Sequence, residues 1–430
     1  MDQTHNNQVI DWVFVLILLG LSPFFLFPTI ATSPLFFVFP LMWLYKRKKV
    51  GRFIEPTMLD LALILLLFQV FLASVTAPDP LPSMPKISGI LFGVFLFYAL
   101  LAVLKKELWI KIGIMIFLLS GIAVSLVGVL DMIRTDKYLD PIDAATALIP
   151  KLDYALPGTE RGINPNLIGG SIVLVVPLFL ILIYPFLRKQ NPEYGLFRSR
   201  WYLPYLSVGL IVTLSVLILT QSRGSWIGMV VCADLYLLSK GKTGRRIGIL
   251  VLVGFILAYL ILLGPTEIGK GLSAASRSAL NRIDLWTIAV HQIEKKPITG
   301  MGLNYYRRLP ETGYDKAHAH NILLHTAAEL GMPALLAYLA ILIAAGYMCV
   351  VVWIKAKDGW KKLTVLGLGA GLLAHFIWGM GDALALGAKT GAVFWMSLAL
   401  ITALYNFELH GRGRLQANEV FEEKVSEEEQ

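Results

Sequence analysis

The chain has little that a soluble enzyme needs. Charged residues fill only 16% of its 430 positions, against about a quarter in an ordinary soluble domain. That excludes a water-soluble globular enzyme and a disordered chain together. Cysteine is nearly absent: Cys232 and Cys349 both lie inside apolar runs, which argues against a disulfide framework, a thiolate metal site and a CxxC redox pair. There is no Walker A loop, so an ATP-driven pump on this chain alone is not expected. No basic stretch precedes the first apolar run, where Asp2 and Asp11 stand instead, and a second run follows at once, so a cleavable signal is not expected either. No fixed-period repeat is present.

What the chain does have is apolar length. Hydrophobic residues make up 56% and mean hydropathy is +0.67. A helix needs about 20 apolar residues to cross a bilayer core. Twelve runs approach that, near 9–27, 29–45, 57–77, 87–104, 109–130, 164–187, 202–221, 224–239, 246–264, 321–353, 362–381 and 391–408. The run at 29–45 is broken by Pro34 and Pro40, and 224–239 is short. The expectation is an all-α polytopic membrane protein of about twelve transmembrane helices, a single domain over 1–408 with a cytoplasmic tail at 409–430. The net charge of +9 then reads as membrane orientation rather than nucleic-acid binding. With the N-terminus inside, Lys46 to Lys49, Lys105 and Lys106, Arg188 and Lys189, Lys240 to Arg246, and Lys355 to Lys362 all fall on the cytoplasmic side. Both termini are placed inside.

The outer side carries short connectors at 78–86 and 382–390 and two long segments, 131–163 and 265–320. Long connections in compact proteins are usually functional, so chemistry is expected on the outer face. The second segment holds eight cations, Lys270, Arg277, Arg282, Lys295, Lys296, Arg307, Arg308 and Lys316, against five anions. Cations kept against the orientation bias suggest an anionic ligand; pairing of a solvated loop with lipid phosphates is the plainer alternative. Within it, Ile283, Trp286, Val290 and Ile293 form an apolar stripe, which predicts a helix over 281–296, stopped by Pro297 and lying at the outer interface.

Three polar islands sit at outer span ends. His318, His320 and His325 cluster where the run at 321–353 begins. A metal site with Asp315 is one reading, though no carboxylate set completes it in the sequence. A structural or pH-sensitive role suits His325, four residues before Glu329. For His320 the favoured role is a general base, since an imidazole accepts a hydroxyl proton near neutral pH, with Asn321 placed to orient an acceptor. Thr220-Gln221-Ser222-Arg223-Gly224-Ser225-Trp226 places Arg223 among small residues, so its guanidinium either snorkels or grips phosphate through its planar fork. Arg161-Gly162-Ile163-Asn164-Pro165-Asn166 precedes the run at 164–187, where Asn166 either caps the helix or meets ligand. Asp234 and His375, inside spans, read as packing residues, and Gly367 with Gly371 as a close helix contact.

These pieces resemble the superfamily of bacterial O-antigen ligases and O-antigen polymerases. The matching residues run in the family's order: Gly162-Ile163-Asn164-Pro165-Asn166-Leu167, Ser222-Arg223-Gly224-Ser225-Trp226, Arg282 to Trp286 with Pro297 and Gly300-Met301-Gly302, and His320-Asn321 followed by Gly331. The resemblance covers about 160–335. Ala334 and a short segment between Arg282 and His320 depart from the ligase pattern, and both bear on the acceptor rather than the chemistry.

The resemblance implies a GT-C-type membrane glycosyltransferase in a bacterial inner membrane, with its active site on the periplasmic face. It would move a glycan from an undecaprenyl diphosphate carrier to a hydroxyl of a glycan, lipid or protein acceptor, with inversion and without metal or other cofactor. Arg223 and Arg282 map onto the family's diphosphate-binding arginines and His320 onto its base. Arg161, Asn166, Ser222, His318 and Asn321 are the expected substrate-binding residues. Ligase is favoured, with polymerase and protein O-oligosaccharyltransferase as alternatives of the same chemistry. A flippase for a lipid-linked anion and a nonenzymatic scaffold are the alternatives of another class.

Overall fold

The computed structural model describes residues 3–26, 32–50, 56–79, 81–133, 140–150, 162–187, 199–238, 241–312, 318–383 and 386–409. Among them the chain is helical, with one isolated backbone bridge between Met132 and Ile163. In chain order the helices are α1 (Gln3–Leu26), α2 (Val38–Val50), α3 (Asp60–Val75), α4 (Met84–Val103), α5 (Glu107–Leu130), α6 (Asp140–Ala147), α7 (Pro165–Ile172), α8 (Val176–Leu187), α9 (Tyr202–Leu219), α10 (Arg223–Leu238), α11 (Gly241–Lys295), α12 (Ile322–Leu330), α13 (Met332–Lys355) and α14 (Gly359–Gly379). The last, α15, is Ala392–Leu409. Each apolar run of the sequence is helical because only a helix pairs every backbone group of a single segment away from water.

Six helices, α4, α5, α9, α13, α14 and α15, are long and apolar enough to cross a membrane; α7 and α8, bent by 41° at their break, make a seventh if they are one span. The chain is a multi-pass membrane protein. The apolar stretches Val9–Ser22 and Asp60–Val75 are helical but shorter. Of the run at 29–45, the described part is a 3₁₀ turn, Ser33–Phe37, followed by α2. Pro34 and Pro40 stand in the first turns of these elements, where a missing N–H breaks no ladder bond.

The helix expected over 281–296 is not an element of its own. It is the end of α11, whose 55 residues make a rod of roughly 80 Å at 1.5 Å per residue. Beyond Pro265 no proline interrupts the ladder until Pro297, and the helix ends two residues before it.

The bend between α7 and α8 lies beside α14 and has a definite cause. Leu174 N–H donates to Ser171 O rather than to Gly170 O, which releases the Gly170 carbonyl. His375 on α14 takes it up through Nδ1 at 2.7 Å. That fixes the proton on Nδ1 and gives His375 the packing role read from the sequence. Close approach here needs small residues: a Cβ on Gly371 would stand 2.2 Å from the Leu174 carbonyl oxygen, and one on Gly367 would meet Leu178 at 2.6 Å.

The segment from Pro297 to Tyr306 is laced to the end of α12. Met301 N–H donates to Ala328 O at 2.9 Å, Gly302 N–H to Glu329 O at 3.0 Å, and Met332 N–H to Pro297 O at 2.7 Å. Gly331 turns the chain from α12 into α13 at φ +86°, where a Cβ would meet Ile298 O at 2.1 Å. These bonds fix α12, and with it the histidines at its start.

Candidate active site

The site begins with the cap of α12. Asn321 Oδ1 accepts from Leu323 N–H at 3.0 Å and Leu324 N–H at 3.1 Å, satisfying donors that the first helical turn leaves open. Its Nδ2 donates to the carbonyl of Met380 at 3.4 Å, just beyond the end of α14. Asn321 therefore positions the helix and ties it to α14, so both ends of its amide are occupied.

His318 and His320 precede that cap and flank Asp382, two residues beyond Met380. His318 Nε2 lies 3.4 Å from Asp382 Oδ1, and His320 Nδ1 lies 3.3 Å from the same oxygen. The two rings meet edge to face at 4.3 Å. Ala383 N–H donates to Asp382 Oδ1 at 2.8 Å, which holds the carboxylate in place. His320 N–H points at His318 Nδ1 at 3.4 Å, so a neutral His318 turns its Nε2–H toward Asp382. His320 sits at φ +50°, a conformation that side chains with a Cβ seldom adopt. Strain of that kind gathers at functional sites.

Burial pushes the His318 imidazole down to about 4, against the opposing pull of Asp382. Burial alone would raise the Asp382 carboxyl; His318, then His320 and the Ala383 N–H, outweigh it and hold the group well below the usual carboxylate range. At neutral pH the site therefore holds a carboxylate and a neutral His318. The unfolded chain binds a proton at His318 near pH 6.5 and the folded chain only near 4, so this stability is complete at pH 7 and is lost as pH falls between those values. A depressed Asp382 works in the same direction below its unfolded value. A loss of about 3 kcal/mol from His318 between pH 7 and 4 is expected. Thermal unfolding of wild type and His318→Gln in detergent checks it, the variant showing the flatter pH dependence.

Arg223 is the first residue of α10, entered through a turn in which Gln221 has φ +47° and donates to Asp143 Oδ1 at 2.5 Å. The next residue, Gly224, is pressed on Trp378 of α14, where a Cβ would stand 3.1 Å from Cδ1. The start of α10 and the histidines before α12 thus both arrive at the same end of α14. Ser222 is buried, takes a hydrogen bond from Ser225 Oγ at 2.9 Å and packs on Gly169. That occupies it in joining α10 to α7.

Arg282 is half-exposed on α11, one turn before Leu285. Leu285 and Ala289 are buried with Met301, Tyr306, Ala319 and Ala328, and Tyr306 Oη donates to Leu285 O at 2.5 Å. The C-terminal end of α11 is so anchored to the residues on either side of His320. The helix cap at α7 corrects one expectation: Asn164, not Asn166, is the cap, its Oδ1 accepting from Asn166 N–H at 2.9 Å. Arg161 and Asp315 lie outside the described residues.

Residues 208–339 match the family model described as O-antigen ligase. The matched stretch is a little under a third of the chain and contains Arg223, Arg282, His318, His320 and Asn321. The match agrees, over that stretch, with the resemblance of the chain's motifs to the O-antigen ligase superfamily. No curated protein matches the chain. Asp382 falls outside the O-antigen ligase match and was not singled out in the sequence; a lone acid in a connector some sixty residues from the histidines has no spacing to betray it. Lys86 and Glu329 were likewise invisible as a pair. Lys86 Nζ donates to Glu329 Oε2 at 2.8 Å and lies 3.4 Å from His325 Nε2. Its only signal was a cation at the start of an apolar run.

Proposed function

We propose that this protein is an O-antigen ligase-like glycosyltransferase with its active site on the outer face of a bacterial inner membrane, within a twelve-span, GT-C-type frame. The donor is a glycan on undecaprenyl diphosphate, and the acceptor is a hydroxyl. The observation that carries the reading is the Asp382–His320 pair at the start of α12. The charge of the carboxylate 3.3 Å from Nδ1 favours the proton on that nitrogen and leaves Nε2 as the base.

In the proposed step the acceptor oxygen attacks the anomeric carbon opposite the diphosphate and hands its proton to His320 Nε2. The bond from that carbon to the phosphate oxygen breaks, undecaprenyl diphosphate leaves with the electron pair, and configuration inverts. Arg223 and Arg282 stabilise the charge that develops on the leaving group. Among the described residues Arg282 has no ion-pair partner to neutralise it. His318 buttresses Asp382, and Asn321 fixes the helix that carries the base. Polymerase and protein O-oligosaccharyltransferase activity use the same donor chemistry, and the attachment point of the product separates them.

Asp382→Asn tests the assignment. Asp382 acts through His320, so its loss should lower kcat by roughly 10²-fold, within the range for general-base catalysis, with donor KM near wild type in a variant that thermal unfolding shows to be folded. A variant that keeps wild-type kcat removes Asp382 from the mechanism.

A further inference from the structure

We propose that His318, His320 and Asp382 also form a binding site for a divalent transition metal, best suited to zinc, and that its occupation silences the base. Two imidazole nitrogens and a carboxylate oxygen are a donor set zinc favours, and three protein ligands with one open position are its habit at accessible sites. The three donor atoms lie within 4.8 Å of one another. Ligands held about 2.0–2.1 Å from a tetrahedral ion stand roughly 3.3–3.4 Å apart; Asp382 Oδ1 is 3.3 Å from His320 Nδ1 and 3.4 Å from His318 Nε2. As hydrogen bonds these distances are long, and His320 Nδ1 is buried with no hydrogen bond of proper geometry.

The surroundings are suitable. The Ala383 N–H holds the carboxylate from behind, as an outer-shell donor to a metal ligand does. The nearest other charges, Lys86 and Glu329, pair with each other at 2.8 Å and so leave no net charge to repel an ion. His320 keeps 24% of its side-chain surface exposed, so its ring forms the edge of the cluster nearest solvent. The long contact from His320 N–H to His318 Nδ1 is given up when the His318 proton moves to Nδ1. A His320 coordinated through Nδ1 carries its proton on Nε2 and accepts none from a hydroxyl. This silencing rests on His320 being the base, whereas the binding does not.

The test is spectroscopic first. The purified full-length protein is titrated with Co²⁺, whose four-coordinate form absorbs strongly in the visible, and then with Zn²⁺. One saturable, zinc-displaceable signal per chain is expected, lost in His318→Gln and Asp382→Asn and kept in His291→Ala, which alters the exposed pair of His291 with Glu294 on α11. Thermal melts show which variants are folded. No four-coordinate signal in the wild type, or one that survives both substitutions, overturns the site whatever the transfer assay shows. With the site occupied, transfer should be lost in proportion to the signal and return with EDTA. Undiminished transfer at full occupancy overturns the switch and faults the base assignment, leaving the binding result intact.

Discussion

His320→Ala is expected to lower glycan transfer by roughly 10²–10⁴-fold, the range that general-base catalysis contributes, while the protein still inserts and folds. The helix does not depend on this side chain. Asn321 supplies the cap of α12, and the Met301 and Gly302 N–H bonds to Ala328 and Glu329 hold the other end of that helix. His320→Ala also leaves the φ +50° turn in place, and alanine carries the same Cβ, so backbone strain changes little. What disappears is the Nε2 lone pair and the ring beside Asp382. Donor binding through the arginines should persist, so kcat falls and donor KM does not. A mixed profile, with KM rising as steeply as kcat falls, would instead make His320 a substrate-binding group. Initial rates over a range of donor concentration, with thermal unfolding alongside, check it.

Glu329→Ala should be the most damaging single change to stability. Glu329 is 2% exposed. It accepts from Lys86 Nζ at 2.8 Å and from Tyr306 N–H at 3.3 Å, and stands 3.5 Å from His325 Nε2. Removing it leaves a mostly buried ammonium without its partner, a loss that typically costs about 3–5 kcal/mol. It also leaves the Tyr306 N–H unpaired, at about 1–3 kcal/mol more. Glu329→Gln keeps an acceptor for Tyr306 and should lose less. Replacing both partners, Lys86→Met with Glu329→Leu, should recover much of the loss, because no buried charge then remains uncompensated. A double-mutant cycle read by thermal unfolding measures the coupling. Additive losses from the two single variants would show that the pair is not a stabilising unit.

Most of the candidate site was legible because it is local in sequence. Arg223 announced itself by the small polar residues around it and His320 by its neighbours His318 and Asn321. What escaped was non-local. Asp382 meets the histidines only because α14 ends beside the start of α12, with Asn321 bonded to Met380. Lys86 meets Glu329 across 243 positions. The continuity of α11 was hidden because the run at 246–264 and the stripe over 281–296 read as separate elements, whereas one helix carries both. The cap of α7 was misplaced by two residues because Asn164 and Asn166 are equally good cap types, and only the backbone decides between them.

The central claim is transfer of a glycan from a polyprenyl diphosphate, and purified protein with an undecaprenyl diphosphate-linked glycan tests it most directly. Wild type, Arg223→Ala and Arg282→Ala would be offered lipid, glycan and peptide acceptors in the presence of EDTA. The expected result is a product with inverted anomeric configuration from the wild type, sharply reduced in both arginine variants. No product with any acceptor, while the labelled carrier binds and crosses the bilayer of a reconstituted vesicle, would contradict the account and make the protein a transporter.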